Sequence, residues 1–85
     1  MPDLQKQFDE AVAESKKLTG RPDSGTLLKL YALYKQGTNG DAVGARPGFG
    51  DLIGRAKYDA WAGIAGISKE QAMQQYVDLI DSLKD

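Results

Sequence analysis

Apolar residues recur along this 85-residue chain at intervals of three and four. That is the spacing of one helical face, and nowhere do they alternate cleanly as a half-buried strand would. In the first such segment Leu4, Phe8, Ala11, Val12, Ser15 and Leu18 share a face, and Gly20 with Pro22 ends it. Asp23 or Ser24 can cap a second helix, whose stripe is Leu27, Leu30, Tyr31 and Tyr34, bordered by Leu28 and Lys35, and which ends near Gly37 to Gly40. Residues 37 to 54 hold six of the ten glycines together with Pro47. Such a long loop in a compact domain is usually functional or disordered. Asp51 can cap a third helix that runs to about Gly63 to Gly66, with Ile53, Ala56, Ala60 and Ile64 on its apolar side, Lys57 at the margin and Trp61 one turn on. The fourth opens on "SKEQ", a capping box in which Ser68 accepts from the amide of Gln71 and Gln71 reaches back. Met73, Tyr76, Val77, Ile80 and Leu83 then recur on one face. The pattern predicts an all-α fold: an antiparallel up-and-down four-helix bundle with a long glycine-rich crossing between helices 2 and 3. Residues 1–85 are expected to form one domain.

Composition narrows what such a bundle can do. There is no cysteine, which removes disulfides and thiolate metal sites, and no histidine, which removes the commonest metal ligand and the usual general base near neutral pH. No metal site, resident cofactor or catalytic residue is therefore expected. "MPDLQKQFDE" lacks the apolar core of a signal peptide, and "AWAGIAGI" is too short to span a bilayer. The expected setting is the cytoplasm, without stable membrane insertion. The net charge of −1 calls for no nucleic acid, but it is unevenly spread. Residues 29–58 carry Lys29, Lys35, Arg46, Arg55 and Lys57 against Asp41 and Asp51, a balance of +3, while the flanking segments balance to −1 and −3. Uneven solvated charge of this kind is common in short chains, so the basic middle is a lead and not a conclusion.

"GFGDLIG" at 48–54 imitates a dinucleotide fingerprint, but its glycines are wrongly spaced, no strand precedes them and no Walker lysine follows. No nucleophile stands beside an orienting base, which argues against an enzyme. What remains is "LYALYKQGTNGD" at 30–41. A tyrosine stripe is ordinarily core, and a marginal lysine is ordinarily solvated. Tyrosine nevertheless offers a plane for stacking and a hydroxyl for a phosphate, and lysine a point charge suited to phosphate. If helices 2, 3 and 4 meet, then Tyr31, Tyr34, Lys35, Lys57 and Tyr76 can converge on a nucleotide phosphate.

The stretches "LYALYKQGTNGD" at 30–41, "ARPG" at 45–48, "AKYDAW" at 56–61 and "SKEQAMQQY" at 68–76 resemble, in register, the acyl-CoA-binding protein family. Phe8 and "AVAESKKL" fit that family's first helix, so the likeness covers essentially the whole chain. The resemblance implies a four-helix carrier that binds, buffers and delivers medium- and long-chain acyl-CoA thioesters without catalysis. It would act as a monomer and meet acyl-CoA-using enzymes transiently. It further implies that Tyr31, Lys35 and Lys57 hold the 3′-phosphate of the adenosine. Tyr34 would pack on the adenine, Tyr76 would complete the polar side, and Lys16 would face the phosphates. The acyl chain would run near Val12, Leu27, Leu28, Leu52, Ile53 and Ala56. Departures from the family pattern are Tyr58 in "AKYDAW" where tryptophan is usual, "TNGD" for "TVGD", and Ile53 where many members carry lysine, with Arg55 a candidate substitute. The competing expectation is a helical interaction module that keeps the fold but binds a protein or membrane surface.

Overall fold

A computed structural model describes residues 3–18, 20 and 22–84. It contains α1 (Leu4–Ser15), α2 (Ser24–Asn39), α3 (Leu52–Ala62) and α4 (Lys69–Leu83), and no strand among the described residues. Each helix starts where a side-chain oxygen satisfies an otherwise orphaned amide. Asp3 accepts from Gln5, Asp23 from Thr26 and Asp51 from Gly54. Ser68 and Gln71 close the capping box reciprocally, at 3.0 and 3.1 Å. Only α1 departs clearly from its expected length. It ends at Ser15, whose hydroxyl donates to the Val12 carbonyl at 2.6 Å. The amides of Lys16 and Lys17 bond back three residues, to Ala13 and Glu14, tightening the last turn and releasing Leu18 to pack on the core from outside the helix.

The core is built by three of the four helices. Phe8 and Ala11 of α1, Leu30 and Leu33 of α2, and Ala72, Met73, Tyr76 and Ile80 of α4 form one buried cluster. The Phe8 ring is its hinge, edge-on to Tyr76 at 5.1 Å and stacked on Tyr34 at 5.9 Å. Helix α2 lies close enough to α4 that a Cβ on Gly37 would stand 3.2 Å from Met73 Cγ and 3.4 Å from Phe8 Cζ. Only a glycine permits that approach without repacking. Helix α3 adds no residue to this cluster, and its single buried side chain is Trp61.

The four-helix, all-α expectation holds, and the helix directions refine it. Gly37 meets Met73 while Tyr34 meets Tyr76, so α2 and α4 are antiparallel. Tyr31 meets Lys57 while Lys35 meets Trp61, so α2 and α3 run the same way. Phe8 meets Tyr76 while Glu14 pairs with Lys84, so α1 and α4 also run the same way. The order is up, down, down, up. That order explains the long crossing. Helix α2 has 16 residues and is about 24 Å long. Residues 40–51 must return the chain along that length, and at full extension they reach about 40 Å.

Candidate functional site

Helix α2 packs on two neighbours, and this resolves the tyrosine stripe. Its buried residues are Leu30, Ala32, Leu33, Gln36 and Gly37. The expected stripe of Leu27, Leu30, Tyr31 and Tyr34 lies a step round the helix. Leu27 and Tyr31 are half-buried, and Tyr34 is 40% exposed. That face lines open space and fills no core. Two grooves share Leu27 and Tyr31 as their common wall. One, of 460 Å³, lies between α2 and α3 and is lined by Ser24, Leu27, Leu28, Tyr31, Ile53, Ala56 and Lys57. The other, of 270 Å³, opens towards α1 and α4 and is lined by Ser15, Leu18, Pro22, Leu27, Leu30, Tyr31, Tyr34 and Tyr76. The first is apolar along most of its wall and cationic at one margin. The second carries three tyrosines. The larger volume falls within the usual small-molecule range of about 300–1,000 Å³.

The cations are held by aromatic faces. Lys57 Nζ lies 5.5 Å from the Tyr31 ring centroid, across the α2–α3 seam. Lys35 Nζ lies 5.1 Å from the Trp61 ring, one helical turn further along the same seam. A lysine over such a ring keeps its charge while remaining free to meet an anion.

A polar clasp fixes that seam. Gln36 is fully buried, and its amide nitrogen donates to Asp41 Oδ1 at 2.8 Å and to the Ile67 carbonyl at 2.7 Å. Its amide oxygen accepts from Trp61 Nε1 at 3.1 Å, and Trp61 also donates to the Gly40 carbonyl at 2.8 Å. Asp41 Oδ1 accepts in addition from the Gly66 amide at 2.9 Å. These donors, Gly66 foremost and Gln36 next, hold the Asp41 carboxyl below its ordinary pKa. One amide thus joins the end of α2, the start of the crossing, α3 and the α3–α4 turn. Further along, Arg46 grips Asp59 through two bonds of 2.8 and 2.7 Å, and the Tyr58 hydroxyl donates to the Gly44 carbonyl at 3.0 Å. Tyrosine at position 58 thus ties the crossing down. The Arg46 hydrogen bonds lower the Asp59 pKa and raise that of Arg46.

Of the residues singled out in the sequence, Tyr31, Tyr34, Tyr76 and Lys57 come together around the paired grooves, with Leu27, Leu28, Ile53 and Ala56 on the apolar walls. Tyr76 is largely buried, with its ring in the core. Lys35 stands beside the grooves, over Trp61. Lys16 is exposed in the turn after α1, next to the groove residue Ser15. Val12 packs on the core from α1, and Leu52 is exposed at the start of α3; neither lines a groove. Ser15, Leu18, Pro22, Ser24 and Leu30 do line the grooves and carried no signal in the sequence. Gln36 carried one: it is a polar residue on the line Leu30, Leu33, Gly37, where only a fully bonded side chain can be buried. Among the described residues no cluster of metal-ligating side chains occurs, and no helix is long and apolar enough to cross a membrane.

A small helical bundle with an apolar groove, tyrosine-lined and edged by lysine, defines a binding protein for an amphiphilic anion. The family model described as "Acyl CoA binding protein" matches residues 5–80, so the chain belongs to the acyl-CoA-binding protein family. It is 49% identical over 81 residues to an acyl-CoA-binding protein homolog of Manduca sexta, covering 94% of this chain and 90% of that one. It is 47% identical over 79 residues to the enoyl-CoA delta isomerase 2 of Homo sapiens, covering 93% of this chain but 20% of the isomerase. The crystal structure of Oryza sativa Acyl-CoA-Binding Protein 2 superposes with a TM-score of 0.91 at 40% identity, over 95% of this chain and 90% of that one.

Proposed function

We propose that this protein binds medium- and long-chain acyl-CoA thioesters and carries and buffers them without chemical change. The single observation behind this reading is the α2–α3 groove. It is an apolar trough of 460 Å³ whose margin holds Lys57 over Tyr31. A fatty thioester of a phosphorylated nucleotide needs those two surfaces side by side. The acyl chain would lie along Leu27, Leu28, Ile53 and Ala56, with Leu52 folding over it and Val12 supporting the wall from α1. The 3′-phosphate would meet Lys57, Lys35 and the Tyr31 hydroxyl. Tyr34 would stack on the adenine, while Tyr76 backs that ring and Lys16 faces the remaining phosphates. Membership of a family of binding proteins supports a non-enzymatic role. Residues 1–85 would act as one binding domain, monomeric and cytoplasmic, passing its ligand to acyl-CoA-using enzymes in brief encounters.

The energetics suit an amphiphile. At about 0.8 kcal/mol per methylene, a palmitoyl chain offers roughly 10 kcal/mol on leaving water. Lost motion and side-chain ordering consume several kcal/mol of that. The headgroup contacts supply the balance and the selectivity. Lys57→Ala and Tyr31→Phe are therefore expected to weaken palmitoyl-CoA binding while the far-ultraviolet dichroism stays that of the parent. Unfolding by Lys57→Ala would instead make that lysine a structural residue. Constant thioester absorbance during the titration is the expected sign that no hydrolysis occurs.

A further inference from the structure

The segment that closes the α2–α3 groove carries large apolar side chains turned to solvent. Phe49 is 84% exposed, Leu52 70% and Ile53 72%. They sit within one turn of each other, in the bend before α3 and on its first residues. An exposed Phe–Leu–Ile group is costly to leave in water and marks a contact surface. Its neighbours are cationic. The Arg55 guanidinium lies 4.1 Å from the Phe49 ring centroid, and Lys57 follows Ile53 by one turn on the groove margin. The one carboxylate in this stretch, Asp51, is engaged as the cap of α3. The opposite side of the bundle, along α1 and α4, presents Glu10, Glu14 and Asp81 around a small cleft, with Lys84 as their counter-ion. The molecule thus has an apolar, basic end and an acidic back.

We propose that Phe49, Leu52 and Ile53, flanked by Arg55 and Lys57, dock this protein on an anionic phospholipid surface with the groove facing the bilayer. Apolar side chains seated just below the headgroups, with guanidinium and ammonium groups at phosphate level, are the two elements of interfacial binding. The acidic back is repelled by the same surface, which fixes the orientation. Ile53 belongs to both the docking patch and the groove wall, so an acyl chain can pass between bilayer and groove without crossing water. Docking in this way serves a carrier of thioesters, so its use, though not its geometry, rests on the function proposed above. A second copy of this chain is the other occupant such a patch can take. The net positive charge beside the patch disfavours packing it on itself.

Co-sedimentation of the ligand-free protein with phosphatidylcholine vesicles, with and without phosphatidylserine, tests this directly. Binding is expected only to the serine-containing vesicles. It should weaken in high salt and fall about tenfold in Phe49→Ser, the weight of one aromatic side chain partly withdrawn from an apolar phase. Phe49 is so exposed that its replacement leaves the fold intact, and Phe49→Ser should titrate palmitoyl-CoA like the parent. Equal binding of both vesicle types, no binding to either, or an unchanged Phe49→Ser each overturns the docking surface. So does a dimer in sedimentation velocity that Phe49→Ser dissolves. Loss of palmitoyl-CoA binding with vesicle binding intact would strike the carrier function and leave the docking surface standing.

Discussion

The two sides of α2 solve different problems with similar residues. Towards α4 and α1 it presents Leu30, Leu33 and Gly37, and every gap is filled by Phe8, Met73 and Ile80. Towards α3 it presents Leu27, Leu28 and Tyr31, and a groove of 460 Å³ is left open. The filled side is a core; the open side is a core with a piece missing. Helix α3 is kept at that distance by polar fixtures at the far end of the seam, the Gln36–Trp61 clasp and the Arg46–Asp59 pair. A ligand that completes the apolar seam then gains the hydrophobic free energy that the protein has left unspent.

Identical truncations on the two sides should separate them most sharply. Leu33→Ala opens a cavity where nothing can collapse and is expected to cost about 2–5 kcal/mol of stability, read as a lowered melting temperature. Leu28→Ala removes the same atoms from the groove wall. It should change ligand-free stability by under about 1 kcal/mol and instead weaken palmitoyl-CoA binding in calorimetry. If both variants lose stability equally, the groove is core and the contrast fails.

Next in size is the clasp. Gln36→Leu strands part of the Trp61 indole and the Ile67 carbonyl without their partners. It should cost about 1–3 kcal/mol in chemical denaturation, and tryptophan fluorescence should report a loosened Trp61. Smaller again is the electrostatic margin. Adding salt should weaken palmitoyl-CoA binding to the parent more than to Lys57→Ala, because exposed charges are screened; equal salt slopes would remove Lys57 from the phosphate site. The smallest effect is the pH response. Asp41 has a lowered pKa in the folded state. Its contribution is therefore present above the unfolded carboxylate value and is lost as the pH falls below about 4 and through the folded value. Asp41→Asn should flatten that part of the stability–pH curve, and thermal melts across the acid range would show it.

Much of this arrangement was legible in the sequence, for local reasons. Asp23, Asp51 and Ser68 announced three helix starts, because caps are decided within four residues. The glycines of residues 37–54 announced the crossing. The family likeness of "LYALYKQGTNGD" and "AKYDAW" pointed to Tyr31 and Lys57, which the fold brings to 5.5 Å. What was hidden is what depends on two neighbours at once. The apolar stripe of α2 was centred on Tyr31, whereas the core takes Leu33 and Gly37, because a helix packed on both sides has two apolar faces and a blurred period. Helix direction was equally silent, since periodicity marks a face and carries no sense along the chain. The burial of Gln36 needed partners 5, 25 and 31 residues away. Leu52 and Ile53 resemble core residues in sequence and are exposed in the fold, because α3 turns only Trp61 fully inward.

The most direct test of the account is a calorimetric titration of this protein with palmitoyl-CoA, repeated with CoA and with palmitate. An apolar groove joined to a cationic, tyrosine-lined margin predicts submicromolar binding of the thioester, weak binding of CoA and very weak binding of palmitate. Comparable affinity for all three, or no binding of any, would contradict it.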